Sequence, residues 1–200
     1  MADDHADTTG SSFNLKGQCL VAMPGMGDQR FARSVILICS HNDEGSMGFI
    51  LNQPVLSPTF PEILDELKLA PEKDFCIAND IEVDIYRGGP VEKGRGFVLH
   101  TLDYSTQQTA RIDDLAGLTA TLDALRHISS PEPPRQYLML LGYSGWSAGQ
   151  LEQEIAENGW LTVPASKQLI FDTDPMLMYD AALAAIGVSE ATLSSASGHA

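Results

Sequence analysis

A chain of 200 residues with 44% apolar side chains suits one globular domain with an ordinary core. Its 27 acidic residues against 12 basic give a net charge of −15, a balance that keeps a protein soluble and repels polyanions, so direct DNA binding is not expected. No apolar run approaches the roughly 20 residues of a membrane span. The acidic N-terminus lacks the apolar stretch of a signal peptide. Cys19, Cys39 and Cys76 are odd in number and widely spaced, with Cys19 and Cys39 in apolar runs where a thiol acts as a small buried hydrophobe; together these features read as cytosolic.

In chain order, residues 1–12 are acidic and rich in small polar side chains, and disorder is expected there. Residues 13–188 are read as the single domain and 189–200 as a loose tail. Cys19–Met23 is a short apolar strand, followed by a loop with one proline and two glycines, Pro24-Gly25-Met26-Gly27-Asp28. The β-branched run Ser34–Cys39 predicts a buried strand. Met47–Asn52 predicts its antiparallel partner, across a loop of about five or six residues. Thr59, with Glu62 three residues on, forms a capping box opening a helix that carries Ile63, Leu64 and Leu67 on one face. Residues 71–80 read as an irregular connector. Glu82–Tyr86 alternates like a half-buried strand, Arg87-Gly88-Gly89-Pro90-Val91 breaks it, and Arg95–His100 resumes as a strand. Leu115, Leu118, Leu122 and Leu125 fall at helical spacing. Gly117, Thr119 and Thr121 instead favour a strand, with Thr121 capping a shorter helix over 122–127.

Leu138–Leu141 has the length of a buried strand. Gly142-Tyr143-Ser144-Gly145-Trp146 reads as a tight turn, since glycine permits positive φ and close backbone approach. Such a turn points Tyr143 and Trp146 at one spot. Ser147 with Gln150 fits a capping box for a helix ending near Gly159, on which Glu152, Glu154 and Glu157 read as a solvated face. Ser144 is no nucleophile elbow: Trp146 stands where the second glycine of Gly-x-Ser-x-Gly belongs, and the only later histidine is His199. Trp160–Val163 and Gln168–Phe171 read as strands. Asp174-Pro175 is an N-cap with proline at the first helical position, opening a last helix that ends by Gly187. Strands dominate the first half and helices interrupt irregularly, which argues for α+β.

Taken together, several stretches resemble one family, the YqgE/AlgH family of bacterial proteins. They are Met23-Pro24-Gly25-Met26 with Asp28, Phe31, Arg33 and Ser34; His41, Gly45, Met47, Gly48, Asn52 and Pro54; Arg87-Gly88-Gly89-Pro90-Val91; Gly142-Tyr143 with Gly145-Trp146 and Gly149-Gln150-Leu151-Glu152; and Phe171-Asp172. The likeness spans residues 13 to 188 and departs at Tyr179, where the family usually has tryptophan. It implies an α+β fold with a strongly bent, largely antiparallel sheet folded into a pseudo-barrel flanked by helices. It also tips the Leu115 segment toward strand then helix. The family has no agreed activity, although the label of transcriptional regulator attaches to part of it. Nothing in this chain resembles a helix-turn-helix or a zinc module.

The candidate ligand site gathers the glycine loops around Gly25, Gly88-Gly89 and Gly145, whose amides can form an anion-binding nest. Arg33, Asn52, Arg87, Tyr143 and Trp146 stand beside them in sequence. His41 with Glu44, and His100 with Asp103, lack the spacing of a zinc site, so no metal or cofactor is expected. The favoured reading is a non-enzymatic binding or regulatory protein that acts indirectly, through a protein partner or a small anionic ligand. The alternative is a hydrolase-like enzyme acting on a small anionic molecule in the glycine-loop pocket.

Overall fold

The computed structural model describes residues 14–69, 83–120, 122–130 and 132–196. The readings for 1–12, 71–80, Glu82 and Thr121 lie outside the described residues. Among the described residues nine strands form one curled sheet: β1 (Gln18–Ala22), β2 (Val35–Asn42), β3 (Gly45–Ile50), β4 (Ile85–Arg87), β5 (Val91–His100), β6 (Ala110–Ile112), β7 (Ala116–Thr119), β8 (Tyr137–Ser147) and β9 (Trp160–Pro164). Their order is β6-β7-β5-β8-β3-β2-β1-β9, antiparallel throughout, with β4 added parallel to β8. Curling closes this sheet into a half-barrel. The helices are α1 (Phe60–Glu66), α2 (Leu122–Ile128), α3 (Gln150–Ala156), α4 (Pro175–Ala185) and α5 (Glu190–Ala196).

Alternation along the strands sorts side chains onto two faces. Cys19, Val21, Val35 and Leu37 point inward, to a core that α4 fills with Met178, Tyr179, Ala182 and Leu183. Leu20, Ala22, Ile36 and Ile38 point outward, beneath α3 and Leu151. On the other half of the sheet, Ile85, Val98 and Met139 point outward beneath α1 and α2. Tyr179 is fully buried and donates its hydroxyl to the Ala22 carbonyl at 2.8 Å, so it does more than fill the tryptophan position.

β8 joins the two halves. Leu138–Leu141 pair with β5, while Ser144–Ser147 pair with β3. Gly142, with φ +69°, lies where β4, paired with Met139–Leu141, gives way to β3, while β5 continues past it with Val91 opposite Tyr143. A Cβ on Gly142 would sit 2.7 Å from the Val91 carbonyl oxygen and 2.8 Å from that of Gly89. The face pattern slips by one residue at the same point: Leu138 and Leu140 are inward before it, Tyr143 is inward after it. This bulge-like slip bends the sheet.

Several expectations need correction. The stretch Gly142–Trp146 is strand rather than a turn, and the chain turns only at Ala148-Gly149, with Gly149 at φ +75° as the N-cap of α3. Ser147 and Gln150 do bond, backbone amide to Oε1 at 3.0 Å, but Gln150 is the first helical residue rather than the third. The β2–β3 hairpin closes with Asn42 opposite Gly45, so its loop is the two residues Asp43-Glu44. Gln168–Phe171 belongs to a π-helical turn, Gln168–Asp172, anchored by the buried Leu169 and Ile170. Residues 190–196, expected as loose tail, form α5, held by an ion pair between Glu190 and Arg33. The capping box of α1, the Asp174 cap of α4 and the strand-then-helix order at β7 and α2 stand as expected.

Candidate functional site

The expected glycine-loop pocket is not assembled. Gly88 donates its amide to the Leu141 carbonyl, and its own carbonyl accepts from the Ile50 amide, both at 2.8 Å. Its carbonyl also accepts from the buried Ser144 hydroxyl at 3.4 Å. Gly89 packs backbone to backbone on Tyr143 and Ser144. These glycines bring two strands together. Gly145 is an exposed mid-strand residue, and Gly25 faces open space.

Asn52 and Arg33 do meet, and the Arg87 amide donates to the Gln53 carbonyl at 2.8 Å, but the side chains serve packing and pairing. Asn52 is a clamp: its Oδ1 accepts from the Val35 amide and its Nδ2 donates to the Arg33 carbonyl, each at 2.9 Å. The Arg33 guanidinium lies 4.3 Å from the Tyr179 ring centroid and pairs with Asp180 and Glu190. Arg87 is exposed, and its charge meets no ion-pair partner among the described residues. Tyr143 points inward and meets Phe97 edge-on at 6.1 Å. Trp146, three residues along, points outward into the core under α3. Period-2 alternation puts residues three apart on opposite faces, so Tyr143 and Trp146 cannot wall one pocket. Trp146 and Trp160 meet edge-on at 6.1 Å and donate both indole N–H groups to Oε2 of Glu154, at 2.9 and 2.8 Å. Glu154 therefore belongs to the α3 anchor, and Glu152 lies 3.5 Å from His41, so the face is not simply solvated.

Sequence reasoning missed a cavity elsewhere on the molecule. Beneath α1 and α2, a space of about 440 Å³ opens over the outer face of β5 and β8. Ile63, Leu67, Val98, Leu125, Met139 and Leu141 make its apolar wall, while Lys93 and Arg95 stand at the lining with Glu66 opposite in charge. Arg95 shares its charge with Glu92 at 2.9 Å and lies 5.0 Å from the Phe97 ring centroid. Lys93 meets no ion-pair partner among the described residues. The available signal was the Lys93/Arg95 pair, sparse basic residues in an acidic chain; the wall comes from four separate elements and has no local motif.

Thr119, at the same cavity, links His100 to Thr109 in a polar chain. His100 is fully buried, with Nδ1 3.0 Å from the Thr101 carbonyl and Nε2 2.9 Å from the Thr119 hydroxyl. A carbonyl only accepts, so the proton sits on Nδ1 and Thr119 donates to Nε2. Thr109, 2.8 Å from Thr119, must then donate to Thr119. Burial pushes the His100 imidazole below its ordinary value of 6.5, against the smaller raising effects of the Thr101 bond and Asp103. The folded chain thus binds fewer protons here than the unfolded chain. Its contribution is intact above about pH 6.5 and is lost as pH falls below it. Urea midpoints measured between about pH 7.5 and about pH 5.5 are expected to fall more steeply for the parent than for His100→Gln; parallel curves would refute the assignment. Among the described residues no group of three metal-ligating side chains occurs, and no helix is long and apolar enough to cross a membrane.

Known proteins place this geometry. An AlgH-like family model matches residues 19–191. The UPF0301 protein of Mesorhizobium japonicum is 51% identical over 198 residues, covering 98% of each chain. That of Rhizobium meliloti is 53% identical over 188 residues, covering 93% of each. The solution structure of AlgH from Pseudomonas aeruginosa superposes with a TM-score of 0.75 at 38% identity, over 96% of this chain and 98% of that one. A Corynebacterium diphtheriae protein shares the fold, with a TM-score of 0.62 at 23% identity over 84% of this chain. Sequence and half-barrel agree, and the chain belongs to the AlgH-like (YqgE/AlgH) family.

Proposed function

We propose that this protein is a non-enzymatic binding protein that takes a small amphipathic anion in the cavity beneath α1 and α2, and that any regulatory output passes indirectly, through a protein partner. The observation that carries the reading is the cavity of about 440 Å³ with an apolar wall and Lys93 and Arg95 at its lining. Ligand sites are typically concave, mostly apolar and furnished with a few polar groups. Lys93, with no ion-pair partner among the described residues, selects a head group that the rest of a chain of net charge −15 repels. That same charge disfavours a direct DNA contact.

The test is a titration of the full chain with decanoate, read by methyl NMR of methionine. Met139 lies on this cavity's wall and Met178 does not. The Met139 signal is expected to shift saturably, decanol is expected to bind more weakly, and the Lys93→Glu/Arg95→Glu variant to lose roughly tenfold in affinity, about 1.4 kcal/mol. An unmoved Met139, or equal affinity in the variant, would overturn the site. Turnover of 4-nitrophenyl decanoate that the variant loses would overturn the non-enzymatic reading.

A further inference from the structure

A second cavity, of about 520 Å³, lies on another part of the molecule, between β4, the start of β8, the π-helical turn and the first turn of α4. Its chemistry is opposite to that of the first. Asp84, Asp172 and Asp174 line it, and Arg135 is the basic residue in the lining. Arg135 reaches back toward Asp103, with Nε 4.0 Å from Oδ2. Asp172 Oδ1 accepts from Gln136 Nε2 at 2.6 Å, and Asp174 Oδ1 accepts from the Met176 amide at 2.8 Å. The second oxygen of each stays without a hydrogen-bond partner among the described residues, as does the exposed Asp84 carboxylate.

Carboxylates alone would be ordinary surface in so acidic a chain. Tyr86 makes the difference. It is only 5% exposed, it lines this cavity, and its hydroxyl has no hydrogen-bond partner among the described residues. The Tyr86 ring is buried, but the hydroxyl is not sealed in the core, so its hydrogen-bonding capacity is open to whatever occupies the cavity. Burial pushes its phenol up to about 12, and the Asp84 and Asp174 charges add to the rise. It stays protonated and offers an oxygen that can accept from a bound donor. The opposite wall is apolar, with Leu51, Leu138, Ile170 and Met178, and suits a methylene chain.

We propose that this cavity binds an alkylammonium group, with Asp84, Asp174 and the Tyr86 hydroxyl around the cation and the apolar wall against its methylene stem. The group has two sources, a free aliphatic amine or a lysine side chain of another protein, and the shared chemistry is a primary ammonium on a flexible carbon chain. The large negative charge of the protein raises the local concentration of either.

The experiment titrates the full chain with 1,5-diaminopentane and, separately, with Nα-acetyl-lysine methylamide, following the methionine methyl signals. Met178 is expected to shift saturably, while Met139, in the other cavity, stays in place. The Asp84→Asn/Asp174→Asn variant is expected to lose at least about tenfold in affinity, since it removes two charges while asparagine still caps α4. Binding of the diamine alone assigns the site to a free amine; binding of the lysine derivative alone assigns it to a protein side chain. A still Met178 with both probes, unchanged affinity in the variant, or an equal shift with pentanoate would overturn the proposal. If circular dichroism shows the double variant unfolded, Asp84→Asn alone decides, because the Asp84 carboxylate makes no hydrogen bond that its loss would break.

Discussion

Trp146→Ala is expected to lower the free energy of unfolding by about 3–5 kcal/mol, the usual cost of emptying a buried tryptophan site. Trp146 is 7% exposed and packs with Trp160, Leu151 and the outward side chains of β1 to β3. The substitution opens a void under α3 and removes one of the two indole donors to Glu154. Against a typical total of about 5–15 kcal/mol, such a loss is severe. Urea unfolding followed by far-UV circular dichroism measures it. A midpoint within error of the parent would mean that α3 does not depend on this anchor, and the packing account would fail.

Gly89→Ala is expected to be nearly as damaging, at about 3 kcal/mol, toward the upper end for overpacking. A Cβ at Gly89 would lie 2.1 Å from the Tyr143 carbonyl carbon, 2.2 Å from its oxygen and 2.4 Å from the Ser144 nitrogen. All three are backbone atoms of β8, which is pinned by β5 on both sides of the bend and by β3 beyond it. No rotamer relieves the clash; the strands themselves must part. Gly145→Val is the control, expected within about 0.5 kcal/mol. That position has an ordinary φ, and its nearest neighbour is the Tyr143 ring at 3.4 Å. Thermal melts of the two variants beside the parent give the comparison, and equal losses would show that glycine is needed throughout this strand rather than at the crossing.

Local chemistry was legible in the sequence where it acts over a few residues. The Thr59–Glu62 capping box, the Asp174-Pro175 helix start and the β-branched run of β2 each fold as their residues dictate. The bend was not legible. Gly142 and Gly145 look alike in sequence, yet one sits at φ +69° at the partner change and the other continues a straight ladder. What separates them is tertiary: Val91 and Gly89 carbonyls crowd Gly142 from a strand some fifty residues away. The π-helical turn at 168–172 has strand-like composition because Leu169 and Ile170 face the inner core, whatever the local backbone. Burial fixed the residue types there, and packing fixed the geometry. Candidate site residues failed for a related reason. Glycine and arginine motifs marked the joints of the half-barrel, while the two cavities draw their walls from residues with no shared motif.

The shared Glu154 carboxylate gives the molecule a built-in optical gauge. Both of the chain's two tryptophans sit in one cluster, each with its indole N–H on the same oxygen. Intrinsic emission from this protein therefore reports one event, the seating of α3 on the sheet. Lifting that helix would wet both rings together and shift the emission to the red as a single step. Neither cavity is lined by tryptophan, so a ligand that fills either one without disturbing α3 leaves the spectrum unchanged, and a screen relying on that fluorescence would pass it over.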